Sequence, residues 1–281
     1  MTSPAPATAN SSLPTIAFIG GGNMASAIIG GLIHQGQPAS QIEVVEPWAE
    51  AREALRKNYG IEAQAEAGPA LQRAQIVVWA VKPQTFRDAA AQAKAHTQGA
   101  LHLSVAAGIR SDSIAQWLGT ERIVRTMPNT PALVGKGMSA LYARPAVSAP
   151  ERQSIEAIMA TTGEFLWVDS EPQLDAVTAL SGSGPAYVFY FLEAMTRAGT
   201  GMGLTEQQAH QLAVGTFVGA SELARRSDDP PSVLRQRVTS KGGTTYAALQ
   251  SMEADGVGAA FERAMQAACK RADELGNEFG A

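Results

Sequence analysis

Short apolar runs alternate with longer amphipathic patterns through the first half of the chain. Apolar runs between turn residues are typical of buried strands, and a 3.6-residue apolar period is typical of helices. The pattern predicts strands at 15–19, 42–45, 76–81, 101–105 and 122–127, with further strands at 138–142 and 165–168. Helices are predicted between them, at 49–58 and 111–118 among others. This alternation implies crossover connections and a mostly parallel sheet with helices on both faces.

After residue 168 only helical patterns follow, at 172–180, 185–195, 205–227, 245–254 and 257–275. Ser148 with Glu151 and Thr205 with Gln208 have the spacing of capping boxes at helix starts. Helix ends are predicted at Gly60, Gly119, Asp255-Gly256 and Gly276. Residues 186–192 are apolar on every side, so their helix should be buried all round, completing its core against a second copy of the chain.

A glycine turn joins the first strand to the helix that follows it. Gly20 and Gly22 are the first two glycines of a G-x-G-x-x-G/A fingerprint, and Ala25 stands at the third position. In such a turn the small residues allow a sharp bend, close approach to a pyrophosphate and tight helix–strand packing. The helix N-terminus, at Asn23 and Met24, would face the anion. The alternative is a strand-turn-helix without a ligand.

Three further segments follow predicted strands, at the edge where open α/β sheets bind ligands. Small residues and prolines there would suit the binding of a flat ring. The alternative for each segment is an ordinary loop that binds no ligand. The candidate cofactor-binding residues are Ala80, Val81, Lys82, Pro83, Ala107, Gly108 and Asn129.

Glu46 ends the second strand, where an acid would bind the ribose 2′-hydroxyl of NAD. It could equally open the next helix, where the dipole favours a carboxylate. Arg52 on that helix could instead bind a 2′-phosphate.

Two glycine-rich segments in the helical half directly precede predicted helices, at 181–187 and 240–245. Free backbone amides and hydroxyls at a helix N-terminus can bind a small carboxylate, and simple helix capping is the alternative. Ser183 is not a nucleophile elbow, because Ser181 stands where that motif needs glycine.

Composition narrows the function classes. The chain has 281 residues, 45% of them hydrophobic, and a net charge of −4, which gives no basic footprint for nucleic acid or an anionic membrane. One cysteine, Cys269, excludes an intramolecular disulfide and suits a cytoplasmic location. The four histidines lack metal-ligand spacing and are expected on the surface or at helix ends, and no metal site is indicated. The residues at 1–12 suggest a disordered tail rather than a signal peptide, and no run is long enough to span a membrane.

These motifs, in their order along the chain, resemble pyrroline-5-carboxylate reductases, which catalyse the last step of proline biosynthesis. The matching segments are Ile-Gly-Gly-Gly-Asn-Met-Ala-Ser-Ala-Ile at 19–28, Ala-Val-Lys-Pro at 80–83, Met-Pro-Asn-Thr-Pro at 127–131, Ser-Gly-Ser-Gly-Pro-Ala-Tyr at 181–187 and Gly-Gly-Thr-Thr at 242–245. The resemblance implies a Rossmann-like dinucleotide-binding domain at 13–168 and an all-α substrate and dimerisation domain at 169–281. It also implies hydride transfer from NADPH, or NADH, to a cyclic imine, in a homodimer or a larger assembly of dimers.

The resemblance also assigns substrate contacts to particular residues. The carboxylate of the substrate would be held by Ser240, Gly242, Gly243 and Thr244, with Ser183 as a further substrate-binding residue. Thr245, the catalytic candidate, would reach the ring nitrogen. Lys241 stands where the family commonly has proline, and Glu46 where many NADPH-using relatives have a small polar or basic residue. Two alternatives are a related hydroxyacid dehydrogenase and a dinucleotide-binding regulator without catalytic activity.

Overall fold

The computed structural model describes residues 13–280, and the predicted tail at 1–12 lies outside them. Within the described residues, seven strands form one sheet in the order β2-β1-β3-β4-β5-β6-β7. The strands are β1 Ile16–Ile19, β2 Ile42–Val45, β3 Ile76–Trp79, β4 Leu101–Ser104, β5 Ile123–Met127, β6 Gly137–Ala143 and β7 Gly163–Trp167. All seven predicted strands are present. Only β5 and β6 pair in antiparallel fashion, so the sheet is mostly parallel, as predicted.

Helices cover both faces of this sheet. The α-helices are α1 Asn23–His34, α2 Ala49–Tyr59, α3 Pro83–Ala93, α4 Ser111–Leu118, α5 Ala149–Ala160, α6 Gln173–Val177, α7 Gly184–Gly201, α8 Glu206–Arg226, α9 Pro231–Arg237, α10 Thr244–Ala254 and α11 Val257–Phe279. Alternate strand residues face opposite ways, so Phe18 packs with α1, α2 and α5, whereas Ala17 packs with α3 and α4. The chain therefore buries two apolar layers, one on each face.

Most predicted helix ends agree with the structure. Gly60 and Gly119 end α2 and α4 in the left-handed conformation, and both predicted capping boxes are formed. The predicted end at Gly276 is wrong, because α11 continues to Phe279. A Cβ on Gly276 would lie 2.9 Å from the Arg110 Nε, so this glycine serves a close contact instead of a helix end.

Backbone contacts group the chain into two compact units. The first includes the sheet and extends to Gly182, and it also contains the chain from Cys269 onward; the second is Ser183–Ala268. Helix α6 belongs to the first unit because it packs on β5 and β6 and buries Leu174. A π-helical turn at Thr178–Gly182 follows it, so the single helix predicted at 172–180 changes to π geometry at Thr178 and continues to Gly182. The boundary between a dinucleotide-binding domain and a substrate and dimerisation domain at residue 169 stays a prediction.

The second unit is entirely helical and leaves much apolar surface exposed. Gly199 of α7 allows close packing with Ala209 of α8, and Tyr187 and Phe191 pack edge-on against Phe261. The prediction that residues 186–192 are buried all round is wrong for the single chain, in which Phe189 is 59% exposed. No described helix combines the length and apolar character that crossing a membrane requires.

Candidate dinucleotide and substrate sites

Only glycine fits at the first position of the fingerprint turn. Gly20 has φ +98°, and a Cβ there would lie 2.5 Å from the Ala80 carbonyl oxygen. Its N–H donates to the Val45 carbonyl at 2.8 Å, and the Ala80 N–H donates to the Ile19 carbonyl at 2.8 Å. The turn is thus pressed between β2 and the end of β3, which explains glycine at this position from the protein's own packing.

Gly22 is different, because nothing in the protein requires glycine there. Its φ is −72°, and a Cβ would meet no atom within 4 Å. It is the N-cap of α1, which has no side-chain cap and no acidic residue in its first turn. Amides in the first turn are therefore free for an anion, and Ala25 is fully buried against the core, as the fingerprint requires. These features fit a pyrophosphate beside Gly22, Asn23 and Met24.

Glu46 is half-buried beside the same turn. Its Oε2 accepts a hydrogen bond from the Gly21 N–H at 2.7 Å, and its Oε1 accepts one from the Trp48 N–H at 2.9 Å. The carboxylate thus contacts both the glycine turn and the residue before α2, so features of both interpretations of Glu46 are present. The Arg52 Nη1 donates to the carbonyls of Glu46 and Pro47, at 2.9 and 2.6 Å.

The other candidate cofactor residues follow parallel strands at the same edge of the sheet. Ala80 and Val81 come after β3, Lys82 is the N-cap of α3, and Pro83 is its first residue. Ala107 and Gly108 come after β4, and Gly108 has φ +71°. Because β1, β3 and β4 are parallel neighbours, these loops and the glycine turn share the carboxyl edge of the sheet.

Asn129, after β5, has protein partners at both ends of its amide. Its Oδ1 accepts from the Met138 N–H at 2.9 Å, and its Nδ2 donates to the Ser181 carbonyl at 3.0 Å. The side chain is largely buried, and it ties the loop after β5 to the π-helical turn before Ser183. The Asn129 amide thus holds two protein segments together, and its assignment to cofactor binding stays a prediction.

In the second unit, the candidate substrate residues lie at helix starts. Ser183 is the N-cap of α7. Gly242 has φ +76°, and Gly243, whose N–H donates to the Ser240 carbonyl at 2.9 Å, is the N-cap of α10. Helix α10 begins at Thr244, one residue before the predicted start, and Thr244 and Thr245 are exposed in its first turn. This turn has no side-chain cap and no acidic residue, so its amides and hydroxyls can meet a carboxylate.

The sequence did not indicate a buried ion pair behind the sheet edge. The Arg125 Nη1 lies 2.6 Å from the Glu171 Oε1, and both side chains are largely buried. Glu171 also accepts from the N–H and hydroxyl of Ser111, at 2.6 and 2.5 Å, and so caps the start of α4. Glu171 is 60 residues from Ser111 along the chain, so no local pattern could have indicated the contact.

His102 is neither on the surface nor at a helix end, contrary to the expectation for the histidines. It lies buried on β4, and its Nδ1 accepts a hydrogen bond from the Trp79 Nε1–H at 3.0 Å. Burial lowers the pKa of His102 to about 4, with a smaller contribution from the nearby Arg122 cation. The imidazole is therefore neutral and structural at neutral pH.

Comparison with known proteins gives a consistent assignment. A family model described as pyrroline-5-carboxylate reductase dimerisation matches residues 171–275, and one described as NADP oxidoreductase, coenzyme F420-dependent, matches residues 15–108. The pyrroline-5-carboxylate reductase of Pseudomonas aeruginosa is 45% identical over 96% of this chain and 99% of its own. That of Haemophilus influenzae is 41% identical over 94% of this chain and 98% of its own.

Solved structures agree with these relatives. A pyrroline-5-carboxylate reductase from Coxiella burnetii has a TM-score of 0.87 at 37% identity, covering 93% of this chain and 98% of its own. The Plasmodium falciparum enzyme, solved with NADP bound, has a TM-score of 0.84 at 28% identity, covering 94% and 98%. The α/β domain followed by a helical dimerisation domain is thus the fold of these relatives, as predicted.

Proposed function

The chain belongs to the pyrroline-5-carboxylate reductase family, and we propose that it reduces L-1-pyrroline-5-carboxylate to L-proline with a hydride from NADPH or NADH. The observation that carries this proposal is the uncapped start of α10, where Gly242 and Gly243 precede the exposed Thr244 and Thr245. It is the segment that a dinucleotide-binding protein without this activity would not need.

The dinucleotide would be held at the carboxyl edge of the sheet. The open space beside Gly22 and the uncapped start of α1 fit a pyrophosphate. When bound, the cofactor supplies the hydride from C4 of its nicotinamide. The loops at Ala80–Pro83 and Ala107–Gly108 would form the rim of its site. Glu46 would lie beside the adenosine ribose, where its charge opposes a 2′-phosphate.

The substrate would be held at the start of α10. The Thr244 backbone amide and the Ser240 hydroxyl would bind the carboxylate in the turn that Gly242 and Gly243 form, while the Thr245 hydroxyl would contact the ring nitrogen. A cyclic imine can take its proton from water, so the chain needs no strong acid for this step. Positioning the imine carbon for hydride attack is the main task, which hydroxyls, amides and glycines can perform.

One alternative, a hydroxyacid dehydrogenase of related architecture, would need a lysine on the helix after the crossover to polarise an oxygen. Helix α7 contains no lysine. The other alternative is a dinucleotide-binding regulator without catalytic activity. Such a protein would bind NADPH and leave the imine unreduced. An assay of imine reduction with NADPH and NADH side by side separates all three, because only the proposed enzyme forms proline.

We also propose that the active form is a homodimer built on the second unit and located in the cytoplasm. Three apolar side chains of α7, Val188, Phe189 and Tyr190, are exposed by 38, 59 and 65% in the single chain. Exposed apolar surface of this kind is typical of an interface, and the dimerisation match spans it. Sedimentation should show a dimer at micromolar concentration, and a stable, active monomer would contradict the proposal.

A further inference from the structure

We propose that the C-terminal end of α11 positions the loop between β4 and α4, residues 105–110, and thereby sets the affinity for the dinucleotide. The inference rests on the proposed function, in which Ala107 and Gly108 of this loop line the cofactor site. It concerns only the first compact unit, to which both the loop and the chain from Cys269 onward belong.

Two glycines, one on each partner, let the helix and the loop approach closely. A Cβ on Gly108 would lie 3.0 Å from the Leu275 Cβ, and a Cβ on Gly276 would lie 2.9 Å from the Arg110 Nε. Gly276 is buried although it lies near the end of the chain. The helix thus meets the loop closely at Gly108, through Leu275, and holds the Arg110 guanidinium against Gly276, so its displacement would move the loop.

Polar contacts fix the same interface. The Arg110 Nη2 donates to the Asp273 Oδ1 at 2.7 Å and to the Asn277 Oδ1 at 3.3 Å. The Ser113 hydroxyl, in the first turn of α4, donates to the Gly280 carbonyl at 2.8 Å. Phe279 packs against the apolar cluster beneath α3 and α4. The end of α11 thus contacts the loop, the helix after it and the core below it.

The other end of the loop is fixed independently. Glu171 accepts from the backbone and hydroxyl of Ser111, directly after Arg110. Ala106 and Ile109 are buried in the core on either side, so α11 adds its contacts where the loop leaves the core, at Gly108 and Arg110. The match to the dimerisation model ends at residue 275, so the contacts of Gly276, Asn277 and Gly280 lie outside it.

A matched pair of variants on the end of α11 tests the proposal. Asp273→Ala breaks the ion pair to Arg110, whereas Glu278→Ala breaks an equally exposed ion pair to Arg271 that does not contact the loop. The dissociation constant for NADPH should rise about three-fold in Asp273→Ala, in the range of an exposed ion pair, and remain unchanged in Glu278→Ala. The kcat and the KM for the imine should stay the same in both.

Two further variants sharpen the result. Gly276→Val should weaken NADPH binding at least as much as Asp273→Ala, because its side chain would displace the Arg110 guanidinium from both Asp273 and Asn277. The exchange of Arg110→Asp with Asp273→Arg should restore affinity towards the wild-type value. A role in stability alone would lower the melting temperature without this selective loss of dinucleotide affinity and without the rescue.

The inference is overturned if Asp273→Ala and Gly276→Val bind NADPH like wild type, or if Glu278→Ala weakens binding as much as Asp273→Ala. If Gly276→Val does not fold, the Asp273 and Glu278 variants decide alone. Gly108→Val distinguishes the proposed contact of the loop with the cofactor from the proposed positioning of the loop by α11. If it weakens NADPH binding while the α11 variants do not, only the positioning role fails; if it has no effect either, the proposed cofactor loop itself is wrong.

Discussion

The Glu46 carboxylate accepts a hydrogen bond from the Gly21 amide at 2.7 Å, across the glycine turn that opens the fold. This bond holds a negative charge beside the proposed dinucleotide site. Because its second oxygen accepts from Trp48, the carboxylate is held from two sides. The preference for NADPH or NADH should therefore depend on the charge of Glu46 more than on the length of its side chain.

Removal of that charge should favour NADPH. A like charge about 4 Å away costs about 1 kcal/mol in water and more at a protein surface, so Glu46→Ser should raise the NADPH-to-NADH ratio of kcat/KM on the order of tenfold. Glu46→Gln, which keeps an acceptor for Gly21, is the control for the hydrogen bond. Steady-state kinetics with both cofactors measure the ratio. An unchanged ratio in both variants would mean that Glu46 only supports the turn and the start of α2.

The two fingerprint glycines should respond differently to substitution. A Cβ on Gly22 would meet no atom within 4 Å at an ordinary φ, so Gly22→Val should fold with near-native stability and lose dinucleotide binding. Gly20→Ala places a Cβ 2.5 Å from the Ala80 carbonyl at φ +98°, and should lower the free energy of unfolding by at least about 2 kcal/mol. Thermal melts and NADPH titrations separate the effects. Native affinity in folded Gly22→Val would refute the pyrophosphate site.

Thr245→Ala should slow reduction of the imine and leave cofactor binding intact. Losing one hydrogen bond to the ring nitrogen should cost about 1–3 kcal/mol of transition-state stabilisation, roughly ten- to a hundredfold in kcat/KM for the imine. Thr245→Ser keeps the hydroxyl and should retain most of the activity. NADPH affinity should stay near wild type, because the fingerprint belongs to the other compact unit. Wild-type kcat/KM in Thr245→Ala would mean that this turn merely starts a helix.

His102 should make the fold sensitive to acid. Its pKa is about 4 in the folded chain and near 6.5 in the unfolded chain, so the unfolded state binds more protons between these values. The contribution of neutral His102 to stability is fully present above about pH 6.5. The free energy of unfolding should therefore fall by about 3 kcal/mol as the pH drops to 4. His102→Asn cannot titrate but offers Trp79 an acceptor, so its unfolding free energy should vary less with pH.

The matched control for this pH dependence is His210→Asn, since His210 is exposed on α8. Chemical denaturation at a series of pH values measures the slope for each protein. The His210 variant should follow the wild-type slope. Equal slopes in wild type and His102→Asn would show that the buried histidine does not cause the acid sensitivity.

The sheet was predictable because its strands carry unbroken apolar runs. Ile76–Trp79 is buried on both faces, and such a run has few alternatives in a chain with helical patterns around it. Helix α3 is harder to recognise in the sequence, because two of its three buried residues are alanines. Phe86, Ala90 and Ala93 form its buried face, and alanines give only a weak apolar period. Helix α9 has only seven residues, too few to display a helical apolar period.

The candidate site was predictable where its residues are defined by local backbone. Gly20 and the start of α10 are set by turns within a few residues, which the sequence displays directly. The contacts of Glu171 with Ser111 and of Arg110 with Asp273 join segments 60 and 163 residues apart. Such pairs depend on how distant segments pack in the folded chain, and nothing in one sequence indicates them.

The most direct test of the central claim is deuterium transfer to the imine. The purified protein is incubated with L-1-pyrroline-5-carboxylate and NADPH that carries deuterium at both C4 positions of the nicotinamide, and the product is examined by mass spectrometry and NMR. The account predicts L-proline carrying one deuterium at the former imine carbon, formed in equal amount to the NADPH oxidised. Binding of NADPH without proline formation, or proline without deuterium at that carbon, would contradict it.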